Sequence, residues 1–510
     1  MKLVSGLLIL GLSTGALAFT KGKTYKITVL HTNDHHGRFW QNKDGEWGLA
    51  ARATLIDKLR QEAKKNGSHI LLLDAGDVNT GVPQSDLQDA EPDFRGMGKL
   101  KYDAMAIGNH EFDKPLKTIF QQRSWGGFPF LSGNIYYKNS GELVFPSHVS
   151  LKRDDLKITV FGLTTEDTPK KSNPKNSEGL EFKAAVEEAK KFVPALRKDS
   201  DVLIAVTHMG HYPNANHGPH SPGDVTLARE VNGIDLIVGG HTQKPLFEPD
   251  VVNGAIIVQA FEWGKYVGKV DLEFKDGKLT LKKSELIPVN HKDTKNKLAE
   301  DKEMLKLLTP FKKKGDSGLL VQVGDAEGVF SGERDEVRNK ETALGALVTE
   351  AYKEKFNADV GLTNSGGIRA SLPAGKVTYE TVLTVLPFNN EVVTATMKGD
   401  ELKKYLETII TKFPTGGSLG GFPQISGVRI NVDKKKKKIS KIKVGGKILD
   451  PKKTYTVALP QFIAGGGDDY PKLEYVKHGF IDADILKDHI QKKKLIKAND
   501  YQDSFYIKWK

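Results

Sequence analysis

Apolar runs alternate with helix-like patterns along most of the chain. Residues 24–31 alternate polar and apolar side chains and then become apolar, which predicts a half-buried strand. Later apolar runs predict further strands at residues 69–73, 102–107, 202–206 and 234–238. Between them, Leu49–Lys64 and Phe182–Arg197 repeat apolar residues at helical spacing. This order predicts a layered α/β domain over residues 19–301.

A second folded unit is predicted after this domain. Met304, Leu305, Leu307 and Leu308 have helical spacing in a Lys-rich stretch, which predicts a connecting helix over residues 302–320. A length of 510 residues is more than one hydrophobic core usually serves. We therefore predict a second α/β domain over residues 321–510.

The predicted strands of the first domain end in polar residues that can bind a metal. The endings are Asp34-His35-His36, Asp74-Ala75-Gly76-Asp77, Gly108-Asn109-His110-Glu111-Phe112-Asp113, Thr207-His208 and Gly240-His241-Thr242-Gln243. One such ending indicates only a turn or a helix cap. In open α/β sheets, however, reactive groups gather at the carboxyl ends of strands, so five endings can converge on one site.

These endings resemble, in order and type, the motifs of the dinuclear metallophosphoesterases. The matching segments are Asp34-x-His36, Gly76-Asp77, Gly108-Asn109-His110-Glu111, His208 and Gly239-Gly240-His241-x-Gln243. With Glu262-Trp263-Gly264-Lys265, the chain is similar to the periplasmic 5′-nucleotidase and UDP-sugar hydrolase branch. The resemblance implies an α/β fold with a four-layer β-sandwich flanked by helices, and a smaller C-terminal α/β 5′-nucleotidase domain joined by a helix.

The resemblance also implies two divalent metal ions. The implied ligands are Asp34, His36 and Gln243 on one cation, Asn109, His208 and His241 on the other, and Asp77 bridging both. Carboxylate, imidazole and amide ligands without a thiolate fit Zn, Mn, Co or Fe.

Four other histidines are expected to lie outside the ligand set. His35 would point to the opposite face from His36 if the strand continued through both residues. His211 is a neighbour of the ligand His208 in sequence, and we expect it to be a bystander. His217 and His220 fall in a loop rich in Gly, Pro and Asn, where we expect exposure or a place at the rim of the site.

His110 and Asp113 resemble the catalytic dyad of the family. His110 follows the implied ligand Asn109, so it can reach the phosphoryl oxygens or the leaving group. Asp113, three residues later, can orient the imidazole by a hydrogen bond. The alternative is an Asp that caps a helix beside an exposed His.

The second domain carries residues that suit a nucleotide. Arg334, Arg338 and Arg369 match the phosphate-contacting arginines of the family, and guanidinium groups give planar, multidentate phosphate contacts. Without the resemblance, exposed arginines are most often merely solvated.

Two aromatic residues complete the implied substrate site. Phe388 and Phe462 resemble the rings that sandwich the nucleobase, although packing in the core is the alternative for each. Asp468 would accept hydrogen bonds from the ribose, and Asn390 would contact the base.

Two departures from the family pattern leave the substrate range open. Asp469 stands where relatives commonly have Gly, so it adds a negative charge beside the implied ribose site. Thr342-Ala343-Leu344-Gly345 replaces a more usual Asn-Met pair. The implied metal ligands show no departure.

The first residues predict export. Lys2 supplies a positive start, Leu3–Leu12 an apolar stretch, and Ala16-Leu17-Ala18 a small-x-small cleavage site, so residues 1–18 read as a signal peptide. The apolar part is short for a membrane anchor, which is the alternative, and no later segment is apolar enough to span a bilayer. The chain has no Cys, so it forms no disulfide. We expect a periplasmic location and a monomer.

The chain is basic, with a formal net charge of +12. Lys434–Lys438 form a lysine run that can mark an anionic partner or discourage strand pairing at a sheet edge. No aromatic residues interleave with the run, so we expect a solvated hairpin and no nucleic-acid polymer as a partner. An adhesive surface is the least supported reading.

The resemblance therefore implies a metal-dependent hydrolase of nucleoside 5′-monophosphates, and it leaves open whether UDP-sugars or nucleotide pyrophosphates are cleaved as well. Alternatives within the family are a 2′,3′-cyclic phosphodiesterase/3′-nucleotidase and a thiosulfate-processing hydrolase. A periplasmic nucleotide-binding protein without catalysis is the alternative from another class. Because metals and substrate determinants fall on different domains, we expect the domains to close during turnover, with the 302–320 helix near the hinge.

Overall fold

We describe the protein from a computed structural model. The structure describes residues 19–172, 174–213, 222–292, 294–317, 319–388, 390–433, 438–502 and 507–509. The predicted signal peptide, His217, His220 and Lys434–Lys437 lie outside the described residues.

The first domain alternates strands and helices as the sequence predicts. Its strands are β1 (Thr24–Thr32), β2 (Ser68–Asp74), β3 (Ala104–Ala106), β4 (Phe130–Leu131), β5 (Ile135–Tyr137), β6 (His148–Arg153), β7 (Leu156–Thr164), β8 (Leu180–Phe182), β9 (Val202–His208), β10 (Leu236–Gly239), β11 (Asp250–Val252), β12 (Ala255–Gln259), β13 (Tyr266–Lys275) and β14 (Lys278–Pro288). Its helices are α1 (Leu49–Lys65), α2 (Pro83–Asp86), α3 (Glu91–Leu100), α4 (Leu116–Gly126), α5 (Thr168–Lys171), α6 (Ala185–Lys198) and α7 (Asp224–Glu230), with 3-10 turns at His110–Asp113 and Pro174–Ser177.

Two six-stranded sheets form the centre of this domain. One has the order β14-β13-β1-β2-β3-β4, and the other has the order β11-β12-β10-β9-β7-β6. In the first sheet β1 to β4 are parallel, and in the second β7, β9, β10 and β12 are parallel. Antiparallel strands lie at one edge of the first sheet (β13 and β14) and at both edges of the second (β6 and β11). The five polar strand endings are thus divided between two sheets.

The side-chain alternation of the strands explains the four layers. Alternate residues of β1 and β9, such as Ile27 and Val29 or Ile204 and Val206, are buried between the two sheets. Residues on the opposite faces pack against helices: Leu30 lies in a cluster with α1 and α3, and Leu203 lies in a cluster with α6 and α7. The resulting order is helix, sheet, sheet, helix, which confirms the predicted architecture.

The predicted connecting helix is α8 (Lys302–Asp316), and Asp301 caps it by accepting a hydrogen bond from the backbone N–H of Met304 at 2.7 Å. Met304 and Leu308 are fully buried in the same cluster as α1 and α3. The helix is therefore packed on the first domain. The domain limits at residues 301 and 320 stay predictions.

The second domain is also α/β. Its strands are β15 (Gln322–Glu327), β16 (Val360–Asn364), β17 (Gly375–Thr378), β18 (Glu391–Lys398), β19 (Pro423–Ser426), β20 (Val428–Asp433), β21 (Lys438–Val444), β22 (Lys447–Ile448), β23 (Thr454–Pro460), β24 (Val476–Ile481), β25 (Leu495–Lys497) and β26 (Ile507–Trp509). Its helices are α9 (Arg334–Val337), α10 (Ala343–Phe356), α11 (Tyr379–Val385), α12 (Gly399–Lys412), α13 (Gln461–Ala464), α14 (Asp482–Lys493) and α15 (Ala498–Gln502), with 3-10 turns at Ser365–Gly367 and Gly467–Asp469.

A mixed sheet of order β19-β16-β23-β18-β24 organises this domain. Helices α10 and α14 share one core cluster with β15 and β17, and α12 packs in a second cluster with β16, β18 and β20. The Lys run connects β20 to β21, which pair as an antiparallel hairpin, and its described residue Lys438 is exposed. Among the described residues, no helix combines the length and apolar character needed to cross a membrane.

Candidate functional site

The backbone turns sharply where the strands end. Five of the seven predicted metal ligands have a positive φ: Asp34 (51°), His36 (50°), Asp77 (60°), His241 (78°) and Gln243 (52°). L-residues rarely adopt this conformation, and such positions cluster at functional sites because the surrounding structure must hold them there. These turns direct side chains from both sheets toward a common centre.

Asp77 lies at that centre. Its Oδ2 is 2.9 Å from Nε2 of His208 and 3.9 Å from Nε2 of His36. Two groups of side chains have ligand atoms close enough to hold a metal ion: Asp77 with His36 and His110, and Asp77 with His208 and His241. Because Asp77 is common to both groups, one carboxylate can bridge two cations.

The remaining predicted ligands surround the same centre. Gln243 Nε2 lies 2.7 Å from His36 Nε2, and Asn109 Oδ1 lies 2.8 Å from His241 Nδ1. Asp34 Oδ2 accepts a hydrogen bond from the backbone N–H of His241 at 2.9 Å. Asp34 Oδ1 is buried, and no hydrogen-bond donor contacts it among the described residues. The structure thus brings all seven predicted ligands together.

Backbone carbonyls fix the orientation of two imidazoles. His36 Nδ1 donates to the carbonyl of Thr80 at 2.8 Å, and His208 Nδ1 donates to the carbonyl of Ala75 at 2.7 Å. Because a carbonyl oxygen only accepts, each Nδ1 carries the proton. In the neutral imidazole each Nε2 then has a lone pair that can bind a cation beside Asp77.

The charges at this centre fit cations. Burial raises the pKa of Asp34 to about 7, and the negative charge of Asp77 adds to that rise. Burial would also raise the pKa of Asp77, but the imidazoles of His208, His110 and His36 lower that pKa below its ordinary value. The cluster combines two buried carboxylates with imidazole and amide groups, which is a donor set that suits two divalent metal ions. Asp34 Oδ1 has no donor among the described residues, so it can serve as a ligand atom.

A buried carboxylate outside the predicted ligand set, that of Glu111, supports the turn at Asp77. Glu111 accepts hydrogen bonds from the backbone N–H groups of Asp77, Val78 and Gly108 at 2.8–3.0 Å. Gly108 is required here, because a Cβ at this position would lie 2.3 Å from Asp77 Oδ1. Only the position of Glu111 within the Gly108–Glu111 motif could have indicated its importance.

Two of the histidines expected to be bystanders point elsewhere. His35 is buried, with Nε2 2.9 Å from Asp93 Oδ1 and Nδ1 3.0 Å from Nη2 of Arg52. The predicted reason for this orientation, alternation along a strand, is wrong, because β1 ends at Thr32 and His35 lies beyond it. His211 Nε2 lies 3.0 Å from Asp250 Oδ2.

His110 and Asp113 form the predicted pair. His110 Nδ1 is 2.6 Å from Asp113 Oδ2, which also accepts a hydrogen bond from Thr80 Oγ1 at 2.7 Å. Burial would lower the pKa of His110, but Asp113 and Asp77 raise it above the ordinary value. A ring that is cationic or donates from Nε2 can stabilise a developing negative charge or protonate a leaving group.

A cavity of about 650 Å³ lies between the two domains. Asp77, Asn109, His110, His241 and Gln243 line it from the first domain. Every residue predicted to bind substrate lines it from the second domain: Arg334, Arg338, Arg369, Phe388, Asn390, Phe462 and Asp468. Its volume is in the range usual for sites that bind small molecules.

The three arginines form a cationic group in this cavity. Burial, together with the charges of Arg334 and Arg369, lowers the pKa of Arg338 to about 9. Arg334 Nη1 reaches across to Gln243 Oε1 at 3.5 Å. Three positive charges beside the metal-ligand cluster suit an anion that contacts the arginines and the cluster together.

Both predicted aromatic residues and Asp468 line the same cavity. Phe388 stacks on His110 across the cavity, with ring centroids 5.7 Å apart, and the ring of Phe462 lies against Gly467. Asp468 is buried and accepts a hydrogen bond from Asn364 Nδ2 at 2.7 Å. The carboxylate of Asp469 is 3.4 Å from Lys412 Nζ, so an ion pair offsets the extra charge noted in the sequence.

Comparison with known proteins assigns both halves of the chain to families. Residues 27–245 match the calcineurin-like phosphoesterase family, and residues 322–475 match the 5′-nucleotidase C-terminal domain family. A 5′-nucleotidase of Vibrio parahaemolyticus is 46% identical, over 94% of this chain and 92% of its own length. Protein UshA of Escherichia coli is 45% identical, over 98% of this chain and 96% of its own length.

Solved structures show the same two-domain fold. A 5′-nucleotidase precursor of Thermus thermophilus has a TM-score of 0.79 and 28% identity, over 95% of this chain and 99% of its own. The sulfate thiohydrolase SoxB of Thermus thermophilus has a TM-score of 0.72 at 19% identity, over 95% of this chain and 96% of its own, so that likeness concerns the fold alone.

Proposed function

Because the chain belongs to the 5′-nucleotidase family and is a phosphoric ester hydrolase, we propose that its substrates are nucleoside 5′-monophosphates, which it converts to nucleosides and phosphate. One observation carries this proposal. A single cavity joins the metal-ligand cluster of the first domain to three arginines and two aromatic rings of the second. A phosphate bound at the arginines and a base bound at the rings would give a nucleotide contacts to both domains within this one cavity.

The proposed chemistry divides between metal ions and side chains. The chemistry supplied by two divalent cations at such a site is activation of water at neutral pH and neutralisation of phosphoryl charge. Arg334, Arg338 and Arg369 would hold the phosphate in place. His110 would hydrogen-bond a phosphoryl oxygen or give a proton to the leaving ribose oxygen, and Asp113 would keep its imidazole oriented.

We also propose nucleotides with a second phosphate, including UDP-sugars, as substrates. Apart from Lys171, which pairs with Asp468, four cationic side chains line the cavity in addition to the metal-ligand cluster: Lys244, Arg334, Arg338 and Arg369. One phosphate dianion does not need this many positive partners, whereas a pyrophosphate can use them. The products would be a nucleoside monophosphate and a sugar phosphate, from water added across the P–O–P bridge.

For the location, we propose export to the periplasm with removal of residues 1–18. The basis is the sequence pattern of Lys2, the apolar stretch Leu3–Leu12 and the small residues Ala16 and Ala18. Amino-terminal sequencing of the protein from a periplasmic extract should then begin at Phe19. An intact Met1 in that fraction would contradict the proposal.

Phosphate release from AMP, glucose 1-phosphate formation from UDP-glucose and ring opening of a 2′,3′-cyclic nucleotide test the proposed reaction, each with chelator and with Mn²⁺, Co²⁺ or Zn²⁺ added back. We expect AMP and UDP-glucose to be hydrolysed only with metal. Preference for the cyclic nucleotide would indicate the alternative phosphodiesterase. Tight AMP binding without phosphate release under any metal condition would indicate a binding protein instead.

A further inference from the structure

An ion pair joins the two domains at the cavity and uses none of the predicted metal ligands. Lys171 belongs to α5 of the first domain, and its Nζ is 3.1 Å from Oδ1 of Asp468 in the second domain. The side chain of Asp468 is 9% exposed and that of Lys171 is 27% exposed, so both are shielded without being sealed from solvent. Both residues line the cavity proposed to hold substrate.

The backbone on each side presents this pair at a defined place. Strand β7 ends at Thr164 and α5 follows at Thr168, so Lys171 lies after the carboxyl end of a central strand, as the metal-ligand residues do. Asp468 has a positive φ of 50° in the 3-10 turn Gly467–Asp469. Its Oδ2 accepts from Asn364 Nδ2 at 2.7 Å, which fixes the plane of the carboxylate.

We propose that Lys171 is a specificity-determining residue for the ribose of the substrate. This inference rests on the proposed nucleotidase function and concerns how that site reads the nucleoside. Lys171 orients Asp468 and offers its remaining N–H groups to the sugar, so two domains recognise the same diol.

The hydrogen-bonding capacities of the two groups support this assignment. An ammonium group has three donors, and Asp468 takes one from Lys171. A ribose hydroxyl both donates and accepts, so it can donate to the carboxylate and accept from the ammonium group. Asp468 alone offers only acceptors, and the amide of Asn364 already uses one of its oxygen atoms. A substrate without the hydroxyls gains nothing from either group.

A neighbouring ion pair provides a matched control. Lys412 Nζ is 3.4 Å from Oδ2 of Asp469, on the same 3-10 turn as Asp468. Lys412 lies at the end of α12, in the same domain as Asp469. Removing this lysine changes the net charge equally but leaves the contact between the domains intact.

The experiment measures kcat/KM for three substrates: AMP, 2′,3′-dideoxy-AMP and p-nitrophenyl phosphate. The proteins, all with metal bound, are the wild type and the Lys171→Met, Lys171→Arg and Lys412→Met variants. We expect Lys171→Met to reduce the ratio of kcat/KM for AMP over dideoxy-AMP by about tenfold, mainly through KM. Its kcat/KM for p-nitrophenyl phosphate should stay within about twofold of wild type, because that ester has no ribose. Lys171→Arg should keep most of the preference, and Lys412→Met all of it.

Several results would overturn the inference. An unchanged AMP preference in Lys171→Met means that the lysine does not read the ribose. Equal losses on all three esters mean a structural or general electrostatic role. If Lys171→Met does not fold, as judged by circular dichroism, Lys171→Gln is compared with Lys171→Arg by the same ratio. Failure of the wild type to hydrolyse AMP would contradict the proposed function itself.

Discussion

Glu111 holds the backbone of Asp77, the residue common to both metal-ligand groups. Its Oε2 accepts from the Asp77 N–H at 3.0 Å and from the Gly108 N–H at 2.8 Å. Its Oε1 accepts from the Val78 N–H at 2.8 Å. The carboxylate therefore ties the turn after β2 to the turn after β3, and it does so while fully buried.

Replacement of Glu111 by Gln should weaken metal binding. The amide keeps the shape of the side chain but turns a donor toward backbone N–H groups, so at least one of these hydrogen bonds is lost. We expect affinity for Mn²⁺ or Co²⁺ to fall about 10–100-fold, as for other residues that orient metal ligands. Competition with a chelator measures this affinity. Glu142→Gln, at an exposed position, is the control and should bind metal as the wild type does.

The regular elements could be predicted because their periodicity is local. The predicted helix 49–64 is α1 (Leu49–Lys65), and the predicted strand 202–206 is β9 (Val202–His208). The order of the metal-ligand residues along the chain could be predicted in the same way. Convergence was a harder inference, because the rule for a single open sheet does not say that strand endings of two stacked sheets face one centre.

Other features have no local signal. The positive φ of Asp34 and His36 depends on contacts with distant turns, such as the hydrogen bond from the backbone N–H of His36 to the carbonyl of Asp77 at 3.0 Å. For the same reason the sequence could not show that β1 ends at Thr32, and the orientation of His35 was predicted from a strand that stops before this residue. The pair of Lys171 and Asp468 joins residues 297 positions apart, and no spacing along the chain indicates it.

Asp482 should make stability depend on pH. It is buried at the start of α14, where Oδ1 accepts from the Ala483 N–H at 2.8 Å, and burial raises its pKa to about 7. The pKa in the unfolded chain is near 3.9, so the folded state favours the protonated acid. Its contribution to stability is therefore full below about pH 4 and is lost as pH rises through about 7.

Asp482→Asn keeps the acceptor and removes the titration. We expect the free energy of unfolding of this variant to exceed that of the wild type by about 1–3 kcal/mol at pH 8 and by much less at pH 4.5. Urea unfolding at both pH values measures the difference. Asp44→Asn, at an exposed position, should show no such trend. A constant difference for Asp482→Asn would refute the assignment.

Phe462 should contribute to binding of the base. Stacking on an aromatic ring contributes about 1–3 kcal/mol per base, so Phe462→Ala should raise KM for AMP by about tenfold. KM for ribose 5-phosphate, which has no base, should change little. Phe247→Ala, at a ring that is 56% exposed and not among the residues lining the cavity, is the control. If Phe462 serves only core packing, both substrates will lose activity together and the melting temperature will fall.

Asp77→Asn and His110→Ala should separate assembly of the metal centre from catalysis. Asp77 belongs to both metal-ligand groups, so its amide variant should lose stoichiometric metal and with it phosphate release.

Wild type treated with chelator should show the same loss of phosphate release and a lower melting temperature. Added divalent cation should restore both, because a ligand that binds only the folded state stabilises it. His110→Ala keeps all seven predicted ligands, although His110 also lies within reach of the Asp77 and His36 group, so its metal content should match the wild type while kcat falls about 10²–10⁴-fold. Elemental analysis measures the metal content of each variant, and steady-state kinetics measures its turnover. If either variant turned over at the wild-type rate without bound metal, the basis for a two-metal mechanism would be lost.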